Sequence, residues 1–264
     1  MLIAHGSTHV GMVRSINQDT MEIIKLNENC LFAVVCDGMG GVKGGDIASR
    51  AAVKLISERI RNGRYYKSGK VNKTVKAGKK PNENTIRSLL LTALDAANAR
   101  IHHIANDDKS LDGMGTTAVA VFIEPPVMHI VNVGDSRAYI IGDAITQLTT
   151  DHSVVQEMVD AGKITKQEAR VHPLKHIVTR VLGPYGNVEP DYFNVEIHDG
   201  DIIILCSDGL TELLEDTEIA FEAGMSENFE TVPERLINIA NERGGHDNIT
   251  VIVIKYQKDG GPED

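Results

Sequence analysis

The sequence predicts an α+β fold in layers, with two antiparallel sheets packed together and helices on the outside. Short apolar or alternating segments, typical of strands, follow one another in runs that suit antiparallel pairing. Segments with an apolar stripe at helical spacing occur in pairs between those runs. Neither a linker nor a repeat divides the 264 residues. We therefore expect a single domain over residues 1–256.

The first part of the chain supplies three strands and then two helices. Strands are expected at 3–10, 21–26 and 31–36, because these segments are apolar or alternate and are separated by polar or turn-forming residues. Amphipathic helices are expected at 46–60 and 84–105, each with one continuous apolar face.

A basic segment separates these two helices. It contains eight positive charges and no acid: Arg61, Arg64, Lys67, Lys70, Lys73, Lys76, Lys79 and Lys80. The segment also has three glycines and few large aliphatic residues. This composition predicts a solvated loop inserted over residues 61–82. The alternative is a docking segment for an acidic partner or membrane surface.

The second part of the chain is dominated by strands. They are expected at 115–123, 127–133, 137–141, 145–148, 193–197, 201–206 and 249–256. Helices are expected at 153–170, 210–215, 217–224 and 232–243. The less apolar region 151–190, called the flap below, reads as a surface excursion, and the tail 257–264 is expected to be disordered.

Composition narrows the class of protein. A net charge of −10 argues against a general nucleic-acid binder. The sequence contains no apolar run near the roughly 20 residues of a membrane span, and its first residues lack the layout of a signal peptide. A cytoplasmic protein is expected. Cys30, Cys36 and Cys206 are scattered and read as small buried hydrophobic residues.

Aspartates recur at the predicted ends of strands. Asp37 and Asp208 each follow an apolar strand and precede a glycine, Asp135 follows another strand, and Asp247 comes just before the last one. Acids brought to one place would repel one another unless divalent cations neutralised them. Carboxylate oxygens suit Mg²⁺ or Mn²⁺, and two such ions about 3.5–4 Å apart can share a water and lower its pKa. Arg14, in a polar loop, could hold a phosphate group.

Other phosphate-handling motifs fit the sequence less well. A cysteine phosphatase needs arginine six positions after its nucleophile, whereas Val42 and Glu212 occupy those positions after Cys36 and Cys206. No Gly-x-x-x-x-Gly-Lys-Ser/Thr phosphate loop occurs. The glycines after Asp37 are compatible with a dinucleotide-binding turn, but that turn would leave the other aspartates without a role.

Six motifs in order along residues 11–254 resemble the bacterial PPM family of metal-dependent (type 2C) serine/threonine protein phosphatases. They are Gly11-x-x-Arg14-x-x-Asn17-Gln18-Asp19, Asp37-Gly38-Met39-Gly40-Gly41, Met114-Gly115-Thr116-Thr117, Val133-Gly134-Asp135-Ser136-Arg137, Ser207-Asp208-Gly209-Leu210-Thr211 and Asp247-Asn248-Ile249-Thr250-Val251. The resemblance implies a four-layer α-β-β-α sandwich with a flap subdomain and a dinuclear metal centre at one edge.

The resemblance also implies residue roles at that centre. Asp37 would bridge two ions, Mn²⁺ or Mg²⁺, with the backbone carbonyl of Gly38 on one ion and Asp208 and Asp247 on the other. Asp135 would help to hold a weaker third ion.

Two further residues are assigned by the same resemblance. Asp19 would act in the outer shell or through water, and Arg14 would bind phosphate. The catalytic set implied by the resemblance is Arg14, Asp37, Asp208 and Asp247.

The chain departs from the family pattern at two positions. Val42 stands where many bacterial members have a histidine, so the role of that histidine as proton donor does not transfer. A metal-bound water is then expected to protonate the leaving oxygen, with His152, His172 or His176 of the flap as alternatives. His9 stands where an acid is common and is expected to be structural.

The predicted function is hydrolysis of phosphoserine and phosphothreonine in proteins by a monomeric enzyme that opposes a bacterial serine/threonine kinase. One alternative is a switch phosphatase for a single phosphorylated regulator, such as an anti-sigma-factor antagonist. Others are a small-molecule phosphatase and a catalytically silent sensor that keeps the fold to bind a partner.

Overall fold

The computed structural model of the chain describes residues 1–63, 83–226 and 228–258. Its strands are β1 (Leu2–His9), β2 (Asp19–Asn27), β3 (Cys30–Met39), β4 (Gly115–Thr116), β5 (Ala118–Glu124), β6 (Val127–Val133), β7 (Arg137–Ile141), β8 (Ile145–Gln147), β9 (Asp191–Glu196), β10 (Ile202–Cys206) and β11 (Ile249–Tyr256). Its α-helices are α1 (Gly41–Asn62), α2 (Glu83–Asp107), α3 (Val154–Asp160), α4 (Lys166–Val171), α5 (Asp208–Thr211), α6 (Asp216–Gly224) and α7 (Val232–Glu242).

The strands form two antiparallel sheets, as expected. One sheet has the order β1-β11-β10-β7-β8, and the other has the order β2-β3-β5-β6-β9, with β4 paired to β3. Three apolar clusters separate the layers: one between α1, α2 and the second sheet, one between the sheets, and one between the first sheet and α6 and α7. The fold is therefore the predicted α-β-β-α sandwich.

The central strand β3 shows why its sequence is continuously apolar. Phe32 and Cys36 face the helices, whereas Leu31 and Val35 face the other sheet, and each is at most 1% exposed. Successive side chains of a strand point to opposite faces, and both faces of this strand are covered. All three cysteines are free and buried, as expected.

Helix α1 differs from its prediction at both ends. It begins at Gly41, because Gly40 adopts a left-handed conformation (φ 119°) that joins β3 directly to the helix. It extends to Asn62, so the first residues of the predicted basic loop are helical, and Arg61 forms an ion pair with Glu22 on β2. The rest of that predicted insert, 64–82, lies outside the described residues.

The flap contains two short helices where one was predicted over 153–170. Helix α3 ends before a turn at Gly162 (φ +67°), and α4 starts anew with a capping box between Thr165 and Glu168. Ser153 caps the start of α3, where its hydroxyl accepts from the N–H of Gln156. Local hydrogen bonds of these side chains therefore divide the segment.

Two other boundaries are corrected. The strand predicted over 115–123 is interrupted at Thr117, whose backbone N–H donates to the carbonyl of Asp37 at 2.8 Å. The tail predicted to be disordered from 257 onward is bonded at its start: Gln257 N–H donates to Met1, and Lys258 N–H to Asp199. Residues 259–264 lie outside the described range.

Of the helices in the described ranges, none combines the length and apolar character that crossing a bilayer requires.

Candidate metal centre and active site

Strand direction brings the aspartate-bearing segments to one edge of the sandwich. Strands β3 and β6 both run antiparallel to β5, so their carboxyl ends meet at the same edge, next to the start of β2. In the facing sheet, the end of β10 lies beside the start of β11. Five acids therefore converge: Asp19, Asp37, Asp135, Asp208 and Asp247.

Asp37 lies within β3, two residues before its end, and not after the strand as predicted. Its backbone N–H donates to the Thr117 hydroxyl at 2.9 Å, and its carbonyl accepts from the Thr116 hydroxyl at 2.8 Å. Strand alternation places its side chain on the same face as Val35, between the sheets. Paired backbone groups on both sides thus fix the direction of the carboxylate.

The glycines after Asp37 and Asp208 are required by close backbone packing. A Cβ atom on Gly38 would lie 2.0 Å from the carbonyl oxygen of Gly45 in α1. A Cβ atom on Gly209 would lie 2.0 Å from the carbonyl oxygen of Asn248. At both Asp-Gly pairs, one in β3 and one at the start of α5, a neighbouring segment therefore passes directly against the glycine backbone.

Two of the acids have an oxygen without a protein partner. Asp19 is 7% exposed, and its Oδ2 accepts a hydrogen bond of 2.7 Å from the Ser207 hydroxyl. The other oxygen of Asp19, Oδ1, is buried and receives no hydrogen bond from the described residues, and the same is true of Asp208 Oδ1. Buried carboxylate oxygens without a donor are costly, which favours a cation as their partner.

The pKa values of Asp19, Asp37, Asp135 and Asp208 are raised. Burial is the main cause, and it raises the pKa of Asp19 to about 6. Burial and then repulsion from Asp19 raise the pKa of Asp37 well above its usual range. Burial and then repulsion from Asp135 do the same to the pKa of Asp208. Burial and then Asp151 raise the pKa of Asp135 to about 7. Divalent cations would remove this repulsion.

Arg14 stands at the rim of the cluster. Its Nη2 lies 2.7 Å from Asp247 Oδ2, and its side chain is 53% exposed. Asn248 holds the loop that carries it, because its amide nitrogen donates to the carbonyls of Val10 and Ile16 at 2.9 and 3.0 Å. The sequence motif at 247–251 indicates no role for Asn248, and only the structure shows that this residue anchors the loop.

Four of the five acids and the arginine share one cavity of about 650 Å³. Its lining includes Arg14, Ile16, Gln18, Asp37, Gly38, Asp135, His176, Asp208, Glu212 and Asp247. All predicted site residues except Asp19 line this cavity. Asp19 lies beneath it, as the register partner of Asp37 on the neighbouring strand. The structure thus brings the predicted set together.

Glu212 is a site residue that the sequence did not predict. Its carboxylate binds the flap through Lys175 (3.3 Å) and His176 (2.9 Å). Ligand atoms of His176, Asp208 and Glu212 also lie within 4.8 Å of one another. The available signal was its position one helical turn after Asp208, which places both side chains on the same side of that turn.

The histidines considered as proton donors have different surroundings. His176 lines the cavity. His152 is 6% exposed and bonds the backbone of Gly134, and His172 Nδ1 accepts from the N–H of Leu174. His9 Nδ1 accepts from the N–H of Gly11 at 2.9 Å, which agrees with the structural role expected of it.

This donor set fits Mg²⁺ or Mn²⁺. The convergent ligands are carboxylate oxygens, which hard cations of this kind prefer. The raised pKa values of Asp19 and Asp208, together with the unpartnered Oδ1 atom of each, indicate a site whose negative charge the protein itself leaves unbalanced. Arg14 is a cation at the rim of this cluster, paired with Asp247.

The comparisons with known proteins agree with this geometry. A family model described as protein phosphatase 2C matches residues 6–249. The chain belongs to the protein phosphatase 2C family. The serine/threonine phosphatase stp of Listeria welshimeri is 35% identical over 249 residues, which cover 94% of this chain and 93% of that protein. The resemblance inferred from the motifs is confirmed, and so is the prediction that the chain is a serine/threonine protein phosphatase.

Solved structures of this family share the fold of the phosphatase. The S. agalactiae serine/threonine phosphatase matches with a TM-score of 0.84 and 32% identity over 97% of this chain and 100% of that chain. The catalytic domain of PstP, in complex with 2 manganese ions, matches with a TM-score of 0.78 and 28% identity over 97% and 99% of the two chains.

Proposed function

We propose that this phosphatase hydrolyses phosphoserine and phosphothreonine in proteins, with two divalent cations, Mn²⁺ or Mg²⁺, held by Asp37, the Gly38 carbonyl, Asp208 and Asp247. The observation that carries the proposal is the convergence of these residues and Arg14 on one cavity. The two manganese ions of the PstP catalytic domain add support by similarity.

Cations held by Asp37, the Gly38 carbonyl, Asp208 and Asp247 would supply a water of lowered pKa as the nucleophile and would neutralise charge on the phosphoryl oxygens. The chain itself binds and orients the substrate. The Arg14 guanidinium is placed to donate to two phosphoryl oxygens, since it lies at the mouth of the cavity and is half exposed. Asp19 lies below the metal ligands, and the hydrogen bond that its carboxylate accepts from the Ser207 hydroxyl holds it there.

Asp135 is proposed as a ligand of a weaker third ion, with Asp19 acting through water. Water is the proposed proton donor to the leaving serine or threonine oxygen, and His176 is the alternative among the histidines because it lines the cavity. A His176→Ala variant decides between them. A large selective loss of activity in its pH–rate profile, relative to wild type, would favour His176.

The proposal includes a cellular setting: a cytoplasmic monomer that opposes a serine/threonine kinase. This setting comes from the family resemblance and from the three free cysteines, a state typical of reducing compartments.

The deciding experiment is hydrolysis of a phosphothreonine peptide with Mn²⁺, with and without EDTA. Activity that requires the metal, and that EDTA removes, is the expected result. A well-folded protein that is inactive with every divalent metal tested would overturn the proposal and favour the silent-sensor alternative.

A further inference from the structure

We propose that His152 is a positioning residue that fixes the turn carrying Asp135 and connects this turn to the base of the flap. The inference rests on the proposed function, because Asp135 is proposed there as a ligand of the weaker ion. It assigns a role to a buried histidine that does not line the cavity.

The backbone of the turn that carries Asp135 depends on hydrogen bonds from residues outside the turn. Gly134 has φ +110°, and a Cβ atom there would lie 2.5 Å from Thr117 Cγ2, so glycine is required. Among the described residues, the Gly134 backbone bonds to the Asn132 amide, which donates to its carbonyl at 3.2 Å, and otherwise to one residue, His152. A glycine in this conformation needs external bonds to keep a single orientation.

His152 binds the Gly134 backbone at both polar atoms. The Gly134 N–H donates to His152 Nδ1 at 3.1 Å, and the His152 N–H donates to the Gly134 carbonyl at 2.9 Å. Because Nδ1 accepts from a backbone N–H, the neutral ring carries its proton on Nε2. That nitrogen lies 3.1 Å from Asp191 Oδ2, which accepts from it in this tautomer, and Arg180 Nη1 lies 3.3 Å from the same nitrogen. The carboxylate therefore selects the tautomer that can hold Gly134.

The same residue joins the first residues of the flap to its segment 178–180. The carbonyl of His152 accepts from the N–H of Thr179 at 2.7 Å, and Ser153 forms an isolated bridge with Val178. Asp191, which orients the ring, also binds Arg180 Nη1 at 3.1 Å through Oδ1. We therefore expect a movement of the segment 178–180 to reach Gly134 through His152.

A second contact supports the same connection from the preceding residue. Asp151 forms a two-pronged ion pair with Arg137, with Nε–Oδ1 and Nη2–Oδ2 distances of 2.9 and 2.7 Å. Residues 151–152 thus bind the segment 134–137 at two places, Gly134 and Arg137. Of these two contacts, the one made by His152 is to Gly134, the residue directly before Asp135.

Two conservative variants separate the bonds of His152. In His152→Asn, the side-chain oxygen can replace Nδ1 as the acceptor for Gly134, while the bond to Asp191 is lost. In His152→Gln, the amide nitrogen can replace Nε2 as the donor to Asp191, while the acceptor for Gly134 is lost. We expect His152→Gln to raise the half-saturating Mn²⁺ concentration at least about tenfold, and His152→Asn to raise it by less than that.

The readouts are the half-saturating Mn²⁺ concentration for peptide hydrolysis and, independently, Mn²⁺ binding by titration calorimetry. The matched control is His129→Gln, which removes another buried histidine from the strand leading to Gly134 and should leave both readouts unchanged. Thermal unfolding of each variant confirms that it is folded before it is compared.

The decisive step combines His152→Gln with Asp135→Asn. If His152 acts through Asp135, the double variant should match Asp135→Asn alone in both readouts, because two residues that act as one unit are not additive. Additive losses, or equal losses in the Asn and Gln variants, would overturn the proposal.

The outcomes separate this inference from the proposed function. A wild type that binds Mn²⁺ but does not hydrolyse the peptide would contradict the proposed function, while the calorimetric comparison would still decide the role of His152. A wild type that binds no Mn²⁺ would overturn both.

Discussion

Asp19 on β2 and Asp37 on β3 stand directly opposite each other as register partners. Like charges in this position destabilise a sheet, and burial adds to the cost. The structure compensates only in part, through the 2.7 Å hydrogen bond from Ser207 to Asp19. The edge of the sandwich that carries the site is therefore destabilised by the same acids that a cation would need.

The first prediction concerns stability and pH in chelator-treated protein. The pKa values of Asp19 and Asp135 are raised to about 6 and about 7, above the unfolded-state value near 3.9. Folding therefore favours their protonated forms, and the folded state loses stability as pH rises from about 4 to 8. Thermal unfolding in EDTA should show Tm falling across this range. Added Mn²⁺ should raise Tm most at pH 8, and a flat or rising Tm in EDTA would contradict the expectation.

The second prediction isolates Asp19. Asp19→Asn keeps the shape of the side chain and removes one buried charge, so the chelated protein should become more stable at pH 8, by about 1.4 kcal/mol for each unit of raised pKa that is removed. Chemical unfolding at pH 8 and pH 5 measures it, and the gain should be smaller at pH 5. Asp143→Asn, at an exposed position, is the control and should change neither value.

The third prediction concerns the ligands themselves. Asp37→Asn and Asp208→Asn should each lower kcat/KM for the phosphothreonine peptide by at least about 10²-fold, the size typical of a major electrostatic element. Both variants should keep the fold, because removing a charge from this cluster relieves repulsion. Circular dichroism and a metal titration accompany the kinetics. Activity near that of wild type in either variant would refute the site assignment.

The fourth prediction concerns Arg14. Arg14→Ala should mainly raise KM, by roughly 10- to 100-fold, which corresponds to about 1.5–3 kcal/mol for hydrogen bonds to a charged group. Arg14→Lys should recover only part of the loss, since an ammonium group cannot donate in the planar two-pronged geometry. Steady-state kinetics on the peptide give both values. An unchanged KM in Arg14→Ala would rule out phosphate binding by this residue.

The fifth prediction concerns the flap contacts of Glu212. Glu212→Gln removes the charge that holds Lys175 and His176, so amide exchange across 166–178 should become faster. Ion pairs near the surface contribute about 0–1 kcal/mol each, so losing these two should change the opening equilibrium by no more than about 30-fold.

The matched variant for this test is Glu215→Gln, which removes the neighbouring ion pair with Arg170 (3.2 Å) but lies outside the lining of the active-site cavity. Both variants should speed exchange in α4, whereas only Glu212→Gln should change peptide kinetics. Equal kinetic effects would show that flap mobility in general, and not Glu212 itself, controls activity.

Most strands and helices could be predicted from the sequence because their signals are local. Apolar runs such as 31–36 and 202–206 are buried on both faces, and the stripes of α1 and α2 pack on one face. The errors fall at element ends, where capping by Thr165 or the left-handed Gly40 decides the boundary. Such ends depend on a few hydrogen bonds and on backbone conformation, which periodicity does not report.

The sequence by itself determined the layered fold, the family and the acids and arginine of the site, because ordered motifs encode which residues occupy the ends of which strands. Only the tertiary structure decided how these residues meet. Three contacts join distant segments of the chain: Asp19 pairs with Asp37, Glu212 binds the flap, and His152 binds Gly134. Their geometry follows from strand register and packing between layers, which no local pattern in the chain specifies.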